Sequence, residues 1–155
     1  MHLASAALGI GPGDVVITPP ITFPATANVI EHCGARPVFV DVESDTLLPD
    51  VAALEAFPMA PERRGVDPNK MKAIMLVHFA GQPDDMDKIL ALASRYGLAV
   101  IGDSAHALGA EFQDVRSAVI LVWDARGNGR AASAFTPPRT LRRVKGACRP
   151  PMTRR

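Results

Sequence analysis

One aspartate stands where an open parallel sheet would bind a ligand. Asp103 directly follows the apolar run Leu98–Gly102, and His106 lies three residues further on. Ligands of such sheets gather beyond the carboxyl ends of the strands, so a carboxylate there is well placed to hold a cationic ring nitrogen. Asp103 could equally cap the next turn. His106 could line the same pocket, although a lone histidine is more often a partly buried residue with a satisfied partner.

Two further groups of side chains are candidates for binding a ligand or a metal ion. Phe23 follows the apolar string Val15–Thr18 and could stack on a flat ligand, although a lone phenylalanine is more often part of a core. Asp84, Asp85 and Asp87 cluster at the start of a predicted helix, where the helix dipole favours carboxylates without any metal. We therefore predict no metal site.

The elements that would position these residues alternate between strand and helix. Apolar runs without polar alternation predict four buried strands, at Val15–Thr18, Val38–Asp41, Ala73–Val77 and Leu98–Gly102. Helices are predicted at Thr22–Cys33, Asp50–Phe57 and Asp84–Tyr96. This alternation indicates an α/β fold with a mainly parallel sheet flanked by helices. The string GIGPGD precedes its strand, so we predict a turn there and not a nucleotide-binding loop.

Composition narrows the class of protein. The 155 residues are enough for one domain, and 48% hydrophobic with 21% charged residues are globular values. No apolar run reaches the ~18 residues of a membrane span. Two cysteines without metal-ligand spacing, Cys33 and Cys148, and an N-terminus without a basic stretch favour a cytoplasmic protein.

Charge divides the chain into two parts. Residues 1–112 carry 14 acidic and 7 basic side chains, whereas residues 113–155 carry 2 and 10. A basic tail of this kind could bind nucleic acid. Its composition alone is typical of a disordered segment, and four prolines interrupt any helix in it.

Four strings in order carry a family resemblance: ALGIGPGDVVITPPITFPATANVI, CGARPVFVDVESDTL, AIMLVHFAGQPDDMDKI and LAVIGDSAHALGAEF. Over about residues 2–112 the chain resembles the DegT/StrS family of pyridoxal-phosphate-dependent nucleotide-sugar aminotransferases. The resemblance implies the large domain of the type I, aspartate-aminotransferase-like fold and a homodimer. It also implies transfer of an amino group, commonly from glutamate, onto a nucleotide-linked keto-sugar, as in the biosynthesis of cell-surface polysaccharide or antibiotic sugars.

The same resemblance implies three cofactor-binding residues. Asp103 would bind the pyridine nitrogen of pyridoxal phosphate and keep it protonated, so that the ring acts as an electron sink. His106 would lie against the cofactor ring or its phenolic oxygen. Phe23 would stack on the opposite face of the ring.

Two features of that family are expected but do not occur in this sequence. The first is a Gly-Thr-Ala phosphate-holding segment upstream of Met1, and the second is a Schiff-base lysine in a string like SFY-x-x-KNLTTGEGG after Asp103. Residues 133–147 read SAFTPPRTLRRVKGA, and a shifted grouping of their codons permits the lysine string. We therefore expect residues 1–112 to be a partial cofactor-binding large domain. Residues 113–155 would be an out-of-frame, disordered tail.

Without the lysine, the chain by itself has no predicted catalytic residue and is expected to be inactive. Two other functions stay open. A non-catalytic α/β binding module would keep the scaffold without the lysine, and a nucleic-acid-binding protein would use the basic tail, with an affinity that falls steeply with salt. We expect neither a nucleic-acid nor a membrane partner.

Overall fold

A seven-stranded sheet forms the centre of the molecule. The structure, a computed structural model, describes residues 1–60 and 65–107 and, beyond these, only short strands. The strands are β1 (Val15–Thr18), β2 (Arg36–Phe39), β3 (Met71–Val77), β4 (Ala99–Asp103), β5 (Glu111–Phe112), β6 (Val115–Arg116), β7 (Ile120–Trp123), β8 (Gly129–Ala132) and β9 (Arg142–Arg143). The order in the main sheet is β2-β1-β3-β4-β7-β8-β9, and β5 pairs with β6 separately.

The first four strands of this sheet are parallel, and the last three are antiparallel to their neighbours. The prediction of a mainly parallel sheet flanked by helices is confirmed. Strand β7 is the described part of the apolar string SAVILVW, and residues 117–119 of that string lie outside the described residues. Most of residues 113–155 lie outside them as well, so the disordered, out-of-frame tail stays a prediction.

Four helices flank the parallel strands: α1 (His2–Ala7), α2 (Ala25–His32), α3 (Val51–Met59) and α4 (Met86–Tyr96). Asp50 caps α3, because its side chain accepts hydrogen bonds from the backbone N–H groups of Ala52 and Ala53. Gly97 ends α4 in the left-handed conformation that glycine adopts without strain.

Several element boundaries differ from the predictions by one to three residues, and one helix was not predicted. Helix α2 begins at Ala25, after Pro24, instead of at Thr22. Strand β2 begins two residues before the predicted Val38, and its Pro37 is tolerated because β2 is the edge strand of the sheet. Helix α1 was not predicted, since six residues are too few to show a periodic pattern.

The core lies on both faces of the parallel strands. Successive residues of a strand point to opposite faces, which is why these strands read as continuous apolar runs. On one face, Ile17, Ile74 and Val100 pack against α3 and α4. On the other face, Val16, Met75 and Ile101 pack against Ile30 of α2 and partly buried residues of α1. The helices therefore cover two distinct sides of the sheet.

Candidate functional site at the carboxyl edge of the sheet

Asp103 is the last residue of β4, and it lies at the carboxyl edge of the parallel strands. It is only 8% exposed, and its Oδ1 accepts a hydrogen bond from the backbone N–H of Ala105 at 3.0 Å. In the described part of the chain no hydrogen bond reaches its Oδ2. The two interpretations of Asp103 are thus compatible, because one oxygen caps the following turn and the other remains for a ligand.

The Asp103 carboxylate favours positive charge in its surroundings. Partial burial lowers the pKa of the Met1 amino group, and the nearby Asp103 carboxylate works in the opposite direction by favouring the charged amine. The site therefore combines partial desolvation with an attractive potential for a cation. A protonated ring nitrogen would experience the same attraction.

His106 is exposed, and its ring contacts Phe79, with 6.1 Å between the ring centroids and 64° between the ring planes. Phe79 belongs to the connection between β3 and α4, residues 78–85. Gly81 of the same connection lies so close that a Cβ on it would be 3.2 Å from the carbonyl oxygen of His106. The turn that follows Asp103, residues 103–107, therefore packs directly against the β3–α4 connection.

Phe23 lies in the connection between β1 and α2, past the carboxyl end of β1. It is 73% exposed, so it is not a core residue. Strand β3 separates β1 from β4, so these two strands lie about 10 Å apart in the plane of the sheet. The structure joins Asp103 and His106 in one turn, but in the described part of the chain the ring that contacts His106 is Phe79 and not Phe23.

Several buried hydroxyl groups accompany these residues at the same edge. Thr18 ends β1 and Ser104 follows β4, and the hydroxyl group of each is buried without a hydrogen-bond partner in the described residues. Thr26 is buried too, with its Oγ1 2.7 Å from that of Thr22. Buried polar groups without partners are uncommon, and a ligand or water normally satisfies them. Among the described residues, Oδ2 of Asp103 and the hydroxyl groups of Thr18 and Ser104 at this edge therefore have no hydrogen-bond partner.

Sequence reasoning missed a buried pair below this edge. His78 follows β3 directly, and its Nδ1 lies 2.8 Å from Oδ2 of Asp84. Burial raises the pKa of the Asp84 carboxyl, and its contact with His78 opposes that shift. The signal was available, because His78 directly follows the predicted strand Ala73–Val77 within one of the four family strings.

The acidic cluster near the start of α4 is divided among separate roles. Asp84 pairs with His78, whereas Asp85 caps α4 through the backbone N–H of Lys88 and forms an ion pair with its Nζ at 2.6 Å. Among the described residues, no group of three or more histidine, cysteine, aspartate or glutamate side chains could hold a metal ion. Within the same residues, no helix is long and apolar enough to cross a membrane.

Parallel strands covered by helices define an α/β protein, and proteins with such open sheets bind their ligands at the carboxyl ends of the strands. The chain belongs to the DegT/DnrJ/EryC1/StrS aminotransferase family, whose sequence model matches residues 1–135. The match includes all four strings that carry the resemblance and continues beyond residue 112. The family assignment made from the sequence is confirmed.

Individual relatives support the same assignment. The chain is 50% identical, over 113 residues, to the UDP-4-amino-4-deoxy-L-arabinose–oxoglutarate aminotransferase of Shewanella sediminis, covering 73% of this chain and 27% of that protein. It also resembles the crystal structure of a DegT DnrJ EryC1 StrS aminotransferase from Brucella abortus (40% identity, TM-score 0.65, 70% of this chain and 28% of that one). A third match is the structure of NtdA from Bacillus subtilis with bound cofactor PMP (33% identity, TM-score 0.60, 70% and 23%). The chain therefore spans about a quarter of the length of these relatives.

Proposed function

We propose that this chain forms the cofactor-binding part of a pyridoxal-phosphate-dependent aminotransferase that acts on a nucleotide-linked keto-sugar, with glutamate as the amino donor. The observation that carries the proposal is the buried Asp103 carboxylate, with one oxygen held and the other free, in a chain of this family. The family depends on pyridoxal phosphate. One relative is named for a UDP-linked amino sugar and for oxoglutarate, the keto acid that glutamate becomes when it donates its amino group.

The residues at the carboxyl edge fit the cofactor in three ways. The free Oδ2 of Asp103 would accept a hydrogen bond from the protonated pyridine nitrogen, and the Ala105 N–H would keep the carboxylate from rotating away. The ring of His106, backed by Phe79, would lie against the cofactor ring. The exposed ring of Phe23 would cover the opposite face. When bound, pyridoxal phosphate supplies an electron sink for the charge that develops next to the amino group.

A base that moves the proton is the missing part of this arrangement. The described lysines do not supply it. Lys70 and Lys72 lie at the start of β3, roughly 20 Å from its carboxyl end, and Lys88 on α4 is paired with Asp85. Lys145 lies outside the described residues. We propose that the lysine of the string expected after Asp103 serves as that base and that it is encoded in a shifted reading frame.

Supporting observations for the wider assignment come from the sequence. Cysteine usage favours a cytoplasmic setting, and the family resemblance implies a homodimer. A non-catalytic binding module is the second candidate, because this sequence contains no lysine string. The two proposals differ in what the gene encodes between codons 110 and 150.

The test combines that DNA sequence with a cofactor assay on the purified chain. The chain mixed with pyridoxal phosphate is expected to give no covalent absorption band that survives dialysis and disappears on borohydride reduction. A frame-restored, full-length protein is expected to give the band and to transfer the amino group of glutamate to a keto-sugar nucleotide. A stable band traced by peptide mapping to a lysine of the present chain would overturn the proposal. A stop codon in the shifted frame would favour the binding module.

A further inference from the structure

We propose that His78 and Asp84 are positioning residues whose buried contact holds the β3–α4 connection against the turn at residues 103–107 and thereby orients His106. That His106 is oriented toward a cofactor rests on the proposed function. The contact itself and its effect on His106 do not.

The pair closes the β3–α4 connection on itself. His78 and Asp84 lie at the two ends of a seven-residue segment, and they are 3% and 2% exposed. Nδ1 of His78 lies 2.8 Å from Asp84 Oδ2 and 3.3 Å from the backbone nitrogen of Asp84. A protonated Nδ1 donates to the carboxylate, and an unprotonated Nδ1 accepts from the backbone N–H. Because Nδ1 and Oδ2 are only 2.8 Å apart, a proton on one of the two atoms joins them, and the backbone N–H of Asp84 can add a second link.

The segment inside this closure has a strained backbone. Ala80 has a φ of 54°, and Gly81 has a φ of 83°. A left-handed conformation is unfavourable for alanine, and it persists only where the surrounding structure imposes it. The His78–Asp84 contact, together with the tight turn at Phe79–Gly81, is such a constraint. Loss of the contact would allow the segment to relax away from this conformation.

Three contacts connect the constrained segment to the turn that carries the site. The backbone N–H of His78 donates to the carbonyl oxygen of Asp103 at 3.1 Å. Phe79 meets the ring of His106 edge-on, and Gly81 lies against the His106 carbonyl. Because His106 is otherwise exposed, Phe79 is the ring that supports it in the described part of the chain. A shift of the segment would therefore move the support of His106.

The pair acts through this segment because it lies on the other face of the sheet. Asp103 is in register with Val77 and alternates with Ile101, which faces α1 and α2. His78 continues the alternation of Ile74 and Leu76, which face α3 and α4. Its partner Asp84 precedes α4. His78 is thus a positioning residue and not a contact of the ligand at Asp103.

The experiment measures the ring nitrogens of the four histidines by 1H–15N NMR in the full chain. Asp84→Ala removes the contact, and we expect the ring signals of both His78 and His106 to shift while the backbone amide spectrum stays that of a folded protein. Asp85→Ala is the matched control, since Asp85 is the neighbouring carboxylate and, among the described residues, forms its ion pair with exposed Lys88. It should leave both histidines unchanged. An unchanged His106 signal in the folded Asp84→Ala variant overturns the proposal.

A second variant decides the case if Asp84→Ala does not fold. Asp84→Asn keeps a hydrogen bond to Nδ1, because its Oδ1 can accept from a protonated Nδ1 and its NH2 group can donate to an unprotonated one. It removes only the carboxylate charge, so the ring signals of His78 should shift while those of His106 keep their positions. Ring signals of His78 that are identical in Asp84→Asn and the wild type overturn the contact.

Titration with pyridoxamine 5′-phosphate then separates the two proposals. Weaker binding by Asp84→Ala than by Asp85→Ala supports an effect on the cofactor site. Equal binding by the two variants means that the His78–Asp84 contact affects His106 but not the cofactor site, and it overturns that part of the proposal. Because the chain alone is expected to bind weakly, the titration extends well above ~1 mM of the probe. Absence of binding by the wild type over that range contradicts the proposed function, and the ligand-free spectra still decide the positioning role.

Discussion

Replacing Asp103 with asparagine tests the central contact of the proposed site with little change in shape. The Ala105 N–H already donates to one carboxylate oxygen at 3.0 Å, so the amide oxygen of the asparagine will keep that position. Its NH2 group then occupies the free position that faces the ligand. A hydrogen-bond donor would therefore meet the protonated pyridine nitrogen, which is also a donor, and the negative charge would be lost.

The expected loss of affinity follows from the type of bond. A hydrogen bond between charged groups contributes about 1.5–3 kcal/mol, more than a neutral one, because the ion pair adds to it. Loss of that free energy weakens binding by about 10- to 150-fold. The wild-type chain, held to the cofactor by few contacts, is expected to bind with a dissociation constant of roughly 1 mM or weaker. The variant should therefore show no saturable binding in the millimolar range.

The assay is a titration of the labelled chain with pyridoxamine 5′-phosphate, followed at the backbone amides of residues 103–107 and at the ring of His106. Asp14→Asn is the matched control, because Asp14 also accepts a backbone N–H, that of Gly11 at 3.0 Å, but lies at the amino edge of the sheet just before β1. It should bind like the wild type. If Asp103→Asn and Asp14→Asn bind the probe equally well, Asp103 does not hold the pyridine nitrogen and the reasoning is refuted.

Two predictions on stability accompany this one. Gly81→Ala should lower the free energy of unfolding, measured by urea denaturation, by more than Gly97→Ala does. Both glycines have a positive φ, which costs alanine about 1–2 kcal/mol. Of the two, only Gly81 would bring the added Cβ close to a backbone atom, the carbonyl oxygen of His106. Equal losses of unfolding free energy in the two variants would show that the β3–α4 connection is not in close contact with the turn at residues 103–107. Ile74→Ala, at a fully buried position of β3, should cost about 2–5 kcal/mol, whereas Leu3→Ala, at a side chain 86% exposed, should change stability by less than about 0.5 kcal/mol. Similar effects at both positions would contradict the described core.

The sequence predicted the central elements because their signals are local. Strand β1 has the predicted bounds, since a strand buried on both faces is a short apolar run between turn residues. Helix α4 ends where Gly97 predicts, because a left-handed residue after a helix favours glycine. Asp103 was found for the same reason, as a polar residue directly after an apolar run.

The contacts around the site could not be predicted in this way. The pairing of His78 with Asp84 depends on the left-handed conformation of Ala80. Alanine does not favour that conformation, so the sequence does not predict it. The ring contact between Phe79 and His106 joins two connections that are 27 positions apart and meet only because β3 and β4 are neighbours. Such contacts follow from the order and register of the strands, which single-sequence patterns do not determine.

The two edges of the parallel sheet differ in how their polar groups are satisfied. At the amino edge, Asp14 accepts the N–H of Gly11, and Asp67 accepts that of Asn69. At the carboxyl edge, the hydroxyl groups of Thr18 and Ser104 are buried without partners in the described residues. Unsatisfied buried groups reduce stability, and proteins keep them chiefly where function requires them. A ligand or water normally satisfies such groups, so the hydroxyl groups of the carboxyl edge support the proposal of a cofactor site there.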